Sequence, residues 1–159
     1  MPRTSVNVGL LVLRIGAGFA LASHGYPKLF GGEGKKAPDS MNRLYGKNFQ
    51  PAVERGGPDK FAETLERMGI PNPKTAAYLA GLAEFGGGVA LALGFATKFI
   101  TTAILVNMGV AIRKVHWSNG FSGQGGYELA SLFAMVAATI WMTGPGKISL
   151  DWLLRHKGA

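Results

Sequence analysis

The chain has 159 residues, 47% of them hydrophobic and 16% charged, with 17 Lys or Arg against nine Asp or Glu. The lack of cysteine excludes disulfides, thiol redox chemistry, thiolate-held iron–sulfur clusters and cysteine zinc sites. The surplus of eight positive charges forms no basic stripe interleaved with aromatics, so no nucleic-acid partner is expected; it fits Lys and Arg that flank membrane spans and meet anionic headgroups.

Apolar residues sit in four blocks, at about residues 6–24, 75–96, 98–115 and 127–142. A bilayer crossing needs about 20 residues of helix. The first block resembles a secretory leader, but Arg14 interrupts it and three more apolar blocks follow, so it reads as a retained span. Between the first and second blocks lies a long connection, 25–74, with a loop at 31–36 and a short helix expected from Pro58 to Gly69. Phe61, Leu65 and Met68 fall on one face of that helix, which would lie on the membrane or cap the bundle. The second block carries one charge, Glu84, and no polar face, unlike the core helix of a soluble bundle. A tight turn from Gly94 to Lys98 leads to the third block, and a glycine-rich stretch leads to the fourth, which Gly144-Pro145-Gly146 ends. Gly16, Gly18, Gly86, Gly87 and Gly88 are expected helix contact points. The expected fold is all-α: a single domain over 1–159, forming a transmembrane four-helix bundle whose long first connection carries a short surface helix.

With an even number of spans both termini share one side, which carries Arg3, Lys98, Lys147, Arg155 and Lys157. The long connection holds nine Lys or Arg but also six acids, so the charge rule leaves orientation open.

Counting helical rise from the block ends places Arg14, Glu84 and Asn107 at one depth. A lone Arg at mid-bilayer costs about 2.5–3.5 kcal/mol on insertion scales. An Arg14–Glu84 ion pair is therefore expected, with Asn107 beside it. A second polar layer, from His24, Lys28, Arg113, His116, Glu128 and Ser131, is expected where the blocks meet the long connection, with almost no polar groups near Gly94 and Trp141. The convergence predicts a polar cavity. Glu84, His116 and Glu128 are its candidate catalytic groups, and Arg14, His24, Lys28, Asn107 and Arg113 its candidate ligand-binding groups. No haem or metal site is expected: His24 and His116 could flank a haem but sit at helix ends without a redox motif, and a His24/His116/Glu84/Glu128 metal set is the weaker reading.

In order along the chain, these residues resemble the DoxX family of small bacterial membrane proteins. His24-Gly25-Tyr26-Pro27-Lys28-Leu29-Phe30 is similar to the family's H-G-x-x-K-L-F, and Gly69-Ile70-Pro71 to its G-x-P. Glu84-Phe85-Gly86-Gly87, Gly94-Phe95-Ala96-Thr97, His116, Gly126-Tyr127-Glu128 and Ser149-Leu150-Asp151 continue the series. The stretch from Gly32 to Gly57 is longer than usual in the family. The resemblance implies a multi-pass protein of the bacterial inner membrane. Some relatives are the membrane subunit of a thiosulfate:quinone oxidoreductase, and others accompany redox partners. The expected function is thus a membrane subunit of a quinone-linked oxidoreductase, with quinone as a diffusible ligand and other membrane or redox subunits as partners. The alternative is a non-catalytic accessory subunit of a larger membrane complex.

Overall fold

The computed structural model describes residues 2–156, with side chains from residue 4 to residue 156. Met1, Lys157 and the side chain of Arg3 lie outside the described residues. Among those described, all regular structure is helical: α1 Pro2–Phe30, α2 Asp39–Tyr45, α3 Phe49–Arg55, α4 Pro58–Arg67, α5 Pro73–Leu93, α6 Thr97–Val110, α7 Glu128–Thr143 and α8 Leu150–His156. A π-helical turn, Ala111–His116, and a 3₁₀ turn, Trp117–Asn119, follow α6.

Two of these helices, α1 and α5, are long and apolar enough to cross a membrane. With its π turn, α6 makes an unbroken helical run of residues 97–116, about 30 Å long. α7 is apolar but shorter. The helices stop where the sequence supplies left-handed glycines. Gly94 has φ 65°, and Gly94 N and Phe95 N donate to Leu91 O and Ala90 O, a Schellman closure of α5. Gly144 (φ 79°) ends α7 by donating to Ile140 O.

The chain divides into two compact units, residues 1–20 with 87–159, and residues 21–86. In the first, α6 packs on α7, and α1 approaches α5 so closely at Gly18 that a methyl there would run into Gly88 O and Ala92. The core includes Leu10, Leu91, Ile104, Ala137 and Ile140. In the second, the antiparallel end of α1 and start of α5 meet at Gly25, against the backbone of Glu84 and Phe85, and at Gly81, against Leu29. Helix α4 does not lie free on a surface. Its Ala62 and Leu65 pack with Ala77, Ala76 and Ile70 at the start of α5, so it caps that end of the unit. An aromatic cluster of Tyr26, Phe30, Phe49 and Phe85, with ring centroids 4.9–5.6 Å apart, ties α1 to α3 and α5.

The glycines expected at helix contacts divide. Gly18 and Gly88 make one, and Gly87 lies within ordinary contact of Ile100 and Ile104, whereas a Cβ on Gly16 or Gly86 would meet open space. Gly18→Ala should therefore destabilise the protein by about 1–3 kcal/mol through overpacking, while Gly16→Ala should be neutral or stabilising, since alanine is the better helix former. Thermal unfolding of both variants in one detergent checks the contrast.

Candidate functional site

The centre with the strongest chemistry lies in the second unit. Glu84, 5% exposed, sits on α5 in an otherwise apolar stretch. Both its carboxylate oxygens accept from Lys28 Nζ at 2.6 Å. Gly25 lets α1 come close enough for this pairing, since any side chain there would occupy the space of the α5 backbone at Glu84. Lys28 Nζ also lies 4.8 Å from the centroid of the Phe61 ring. His24, one helical turn before Lys28, is exposed and within electrostatic reach of both Glu84 and Lys28.

The expected Arg14–Glu84 pair is thus corrected: Glu84 takes Lys28, and Arg14 is held elsewhere. Helical side chains lean toward the N-terminus of their own helix. Lys28 leans back along α1, Glu84 leans toward the start of antiparallel α5, and the two meet. Arg14 leans instead toward the start of α1. The depth count also began too early on α1, which runs on to Phe30 rather than stopping near His24.

Arg14, 0% exposed, belongs to the first unit. Its Nη2 donates to Ile148 O, and its guanidinium fills the space that a side chain on Gly94 would need, next to Ser149. Asp151 stands within electrostatic reach. The region near Gly94 and Trp141, expected to lack polar groups, therefore gathers Arg14, Ser149, Asp151 and Thr97, and Lys98 donates to Trp141 O above the Trp141 ring.

Asp151, which the sequence reading passed over as a functional residue, caps α6 from 55 residues away: its two carboxylate oxygens accept from Ala96 N and Thr97 N, each at 2.8 Å. The cap residue of α6, Ala96, has φ 46° and no side chain able to cap, so the carboxylate supplies both the hydrogen bonds and the negative charge favoured at a helix N-terminus. Burial alone would push the Asp151 carboxyl up. The bonds from Thr97 and Ala96 and the charge of Arg155 outweigh it and hold the group below the ordinary aspartate value.

The remaining candidates cluster past the other end of α6, about 20 Å along that helix. His116 Nδ1 is 2.7 Å from Gly125 O. A carbonyl only accepts, so Nδ1 carries the proton and Nε2 is the lone-pair nitrogen of the neutral ring. Asn119 donates to the same carbonyl at 3.0 Å. The Arg113 guanidinium lies 5.9 Å from the Trp117 ring centroid, and Trp117 stacks on Tyr127 at 5.5 Å. Glu128 opens α7, exposed, with its N–H bonded to Phe121 O. Asn107, on α6, and Ser131, on α7, are half-buried. The structure brings together Glu84, Lys28 and His24 in the second unit, and Arg113, His116 and Glu128 around the α6–α7 connection in the first; within the first unit Arg14 stands at the far end of α6. Among the described residues no group of three or more His, Asp or Glu is placed to hold a metal ion.

The model of the DoxX family matches residues 9–117. No curated protein and no solved structure matches the chain.

Asp151→Ala should lower stability by about 0.5–2 kcal/mol, the range for a lost helix cap. Because the folded carboxyl titrates below its ordinary value, its contribution is complete above the usual aspartate range and is lost as the pH falls through the folded value. Wild type should therefore converge on Asp151→Ala only in strong acid, which thermal unfolding followed from neutral pH down into strong acid checks.

Proposed function

The chain belongs to the DoxX family, and on that premise we propose that it is a multi-pass inner-membrane subunit of a quinone-linked oxidoreductase system, crossing the bilayer four times. The four crossings would be α1, α5, the continuous α6 and π turn, and α7. Two apolar helices of membrane length and the 20-residue run of 97–116 support that count.

The observation that carries the functional reading is the Glu84–Lys28 pair with His24 one turn away. Ionisable groups inside membrane helices are rare and mark proton or substrate paths. Reduction of a quinone consumes protons as well as electrons. In this reading Glu84 and His24 move the protons, with Lys28 holding the carboxylate in place and a partner subunit delivering the electrons. His24, exposed beside the pair, would hydrogen-bond the quinone oxygen. In the other unit, His116 and Arg113 would offer a separate polar site near the Trp117–Tyr127 stack.

The alternative, a non-catalytic accessory subunit, draws support from Gly9 and Gly16 on α1, Gly86 on α5 and Gly109 on α6. A Cβ on any of them would meet open space, and outward small residues suit a partner helix in lipid. Pull-down from gently solubilised membranes would then return a stoichiometric partner.

Titration of the purified protein in lipid nanodiscs with a quinone analogue separates the readings. The quinone reading expects saturable binding, weakened about tenfold to a hundredfold by Glu84→Gln, the range for a lost hydrogen bond to a charged group. Binding that never saturates, or that Glu84→Gln leaves unchanged, overturns it.

A further inference from the structure

Beyond the Glu84 pair, the second unit holds a cleft of about 350 Å³ that the proposed redox reading does not use. The last turn of α1 (Pro27, Lys28), the end of α3 (Arg55) and one stripe of α4 (Lys60, Glu63, Thr64, Arg67) line it. On α4, Lys60, Thr64 and Arg67 follow helical spacing, so they share the face opposite Ala62 and Leu65, which pack inward. The floor is rigid. Pro27 O accepts from both Gly31 N (3.1 Å) and Gly57 N (2.8 Å), and side chains on Gly31 or Gly56 would collide with Pro27 O.

The charges around this cleft do not balance. Lys28, Arg55, Lys60 and Arg67 face a single carboxylate, Glu63. Lys28 is neutralised by Glu84, but two of its three N–H groups serve that carboxylate and one remains. Arg55 donates its Nε to Pro51 O and Arg67 an Nη2 to Thr64 Oγ1, both neutral acceptors that leave guanidinium N–H groups over. Among the described residues the ion pairs are Lys28–Glu84 and Lys74–Asp59, so Arg55, Lys60 and Arg67 are in none. Net positive charge in a concave site with forked donors is the chemistry that recognises a phosphate oxyanion.

The position of the cleft identifies the source of the phosphate. On the reading of α1 as a bilayer crossing, Lys28 closes that apolar helix and the cleft lies at headgroup level, where the span ends. The wall is also amphipathic: Phe61 of α4 lines it beside the cations, and Phe30, 49% exposed, ends α1. We infer that this cleft is a headgroup site for an anionic phospholipid, whose phosphodiester sits among Lys28, Arg55, Lys60 and Arg67 while its acyl chains run along the apolar face of the span.

The test uses the full chain in detergent with phosphatidylglycerol, phosphatidylcholine or inorganic phosphate added, read by lipid retention in native mass spectrometry and by thermal shift. Wild type should retain phosphatidylglycerol in preference to phosphatidylcholine, and inorganic phosphate at millimolar concentration should give no comparable shift. The double variant Lys60→Gln/Arg67→Gln should weaken phosphatidylglycerol binding about tenfold to thirtyfold, as expected for two cations each contributing on the order of a factor of five. The matched variant Lys35→Gln/Lys36→Gln, which removes the same charge from the exposed loop of the same unit, should bind as wild type does. Equal retention of the two lipids, equal loss in both double variants, or a phosphate shift as large as the lipid's would each overturn the assignment. Quinone binding is not read in any arm, so failure here leaves the redox reading to its own test.

Discussion

A carboxylate in the middle of an apolar helix has to meet a cation, and Lys28 meets Glu84 with both oxygens engaged. Taking each ion out of water costs several kcal/mol, which only good geometry offsets. The pairing therefore dictates much of its surroundings. Gly25 and Gly81 bring α1 against α5, and Phe61 covers the ammonium from the side. The turn at Gly56–Gly57 docks on the carbonyl of Pro27, one residue before Lys28. Removing either partner would strand the other charge, at a cost of about 3–5 kcal/mol. The pair is thus a constraint on helix register before it is anything else. Lys28 keeps partial exposure while Glu84 does not, so the lysine is the accessible member of the pair.

The direction in which helical side chains lean explains where the other charges went. Arg14 and Lys28 occupy the same helix and both reach toward its start, so each serves a region nearer the N-terminus than its own backbone. Arg14 reaches the α5–α6 turn, where Gly94 leaves room for it. Asp151 then does three things there: its N–H donates to Gly94 O, its carboxylate caps α6, and its charge faces Arg14. The C-terminal helix α8 is consequently fastened to the start of α6 by one residue.

Local signals made the long elements legible in the sequence. Apolar runs marked α1, α5, α6 and α7, and Gly94 and Gly144 ended their helices because a left-handed φ is a property of the residue itself. The first apolar block ends near His24, yet α1 runs on through Pro27 to Phe30. In the last turn Pro27 forfeits only one backbone N–H, and its carbonyl still accepts from Gly31 N. The short helices α2, α3 and α8 carry too few residues for a periodic signal and are held by contacts distant in sequence. Gln50, for example, accepts from Ala37 N and donates to Lys35 O, and Phe49 packs on Tyr26 and Tyr45. The residue types of the candidate site were visible, but their pairing was not, because depth along a helix ignores the lean of the side chain. The role of Asp151 had one faint signal: a helix start at Thr97 preceded by Ala96, which cannot cap it.

Access separates the buried charges by the work open to them. Arg14 is wholly enclosed, its Nη2 committed to Ile148 O and its charge faced by Asp151, so nothing diffusing through lipid or water meets it in this arrangement. Its effect is to fasten the Gly94 turn to the C-terminal segment. Glu84 is as deeply placed, but the lysine that holds it opens onto a cleft and an exposed histidine stands one turn away. Through the exposed His24 and the cleft-lining Lys28, the surroundings of Glu84 reach the protein surface. The same lysine belongs both to the Glu84 pair and to the wall of the cationic cleft. An anion in that cleft would meet the same ammonium that Glu84 holds, so the cleft and the buried carboxylate share one side chain.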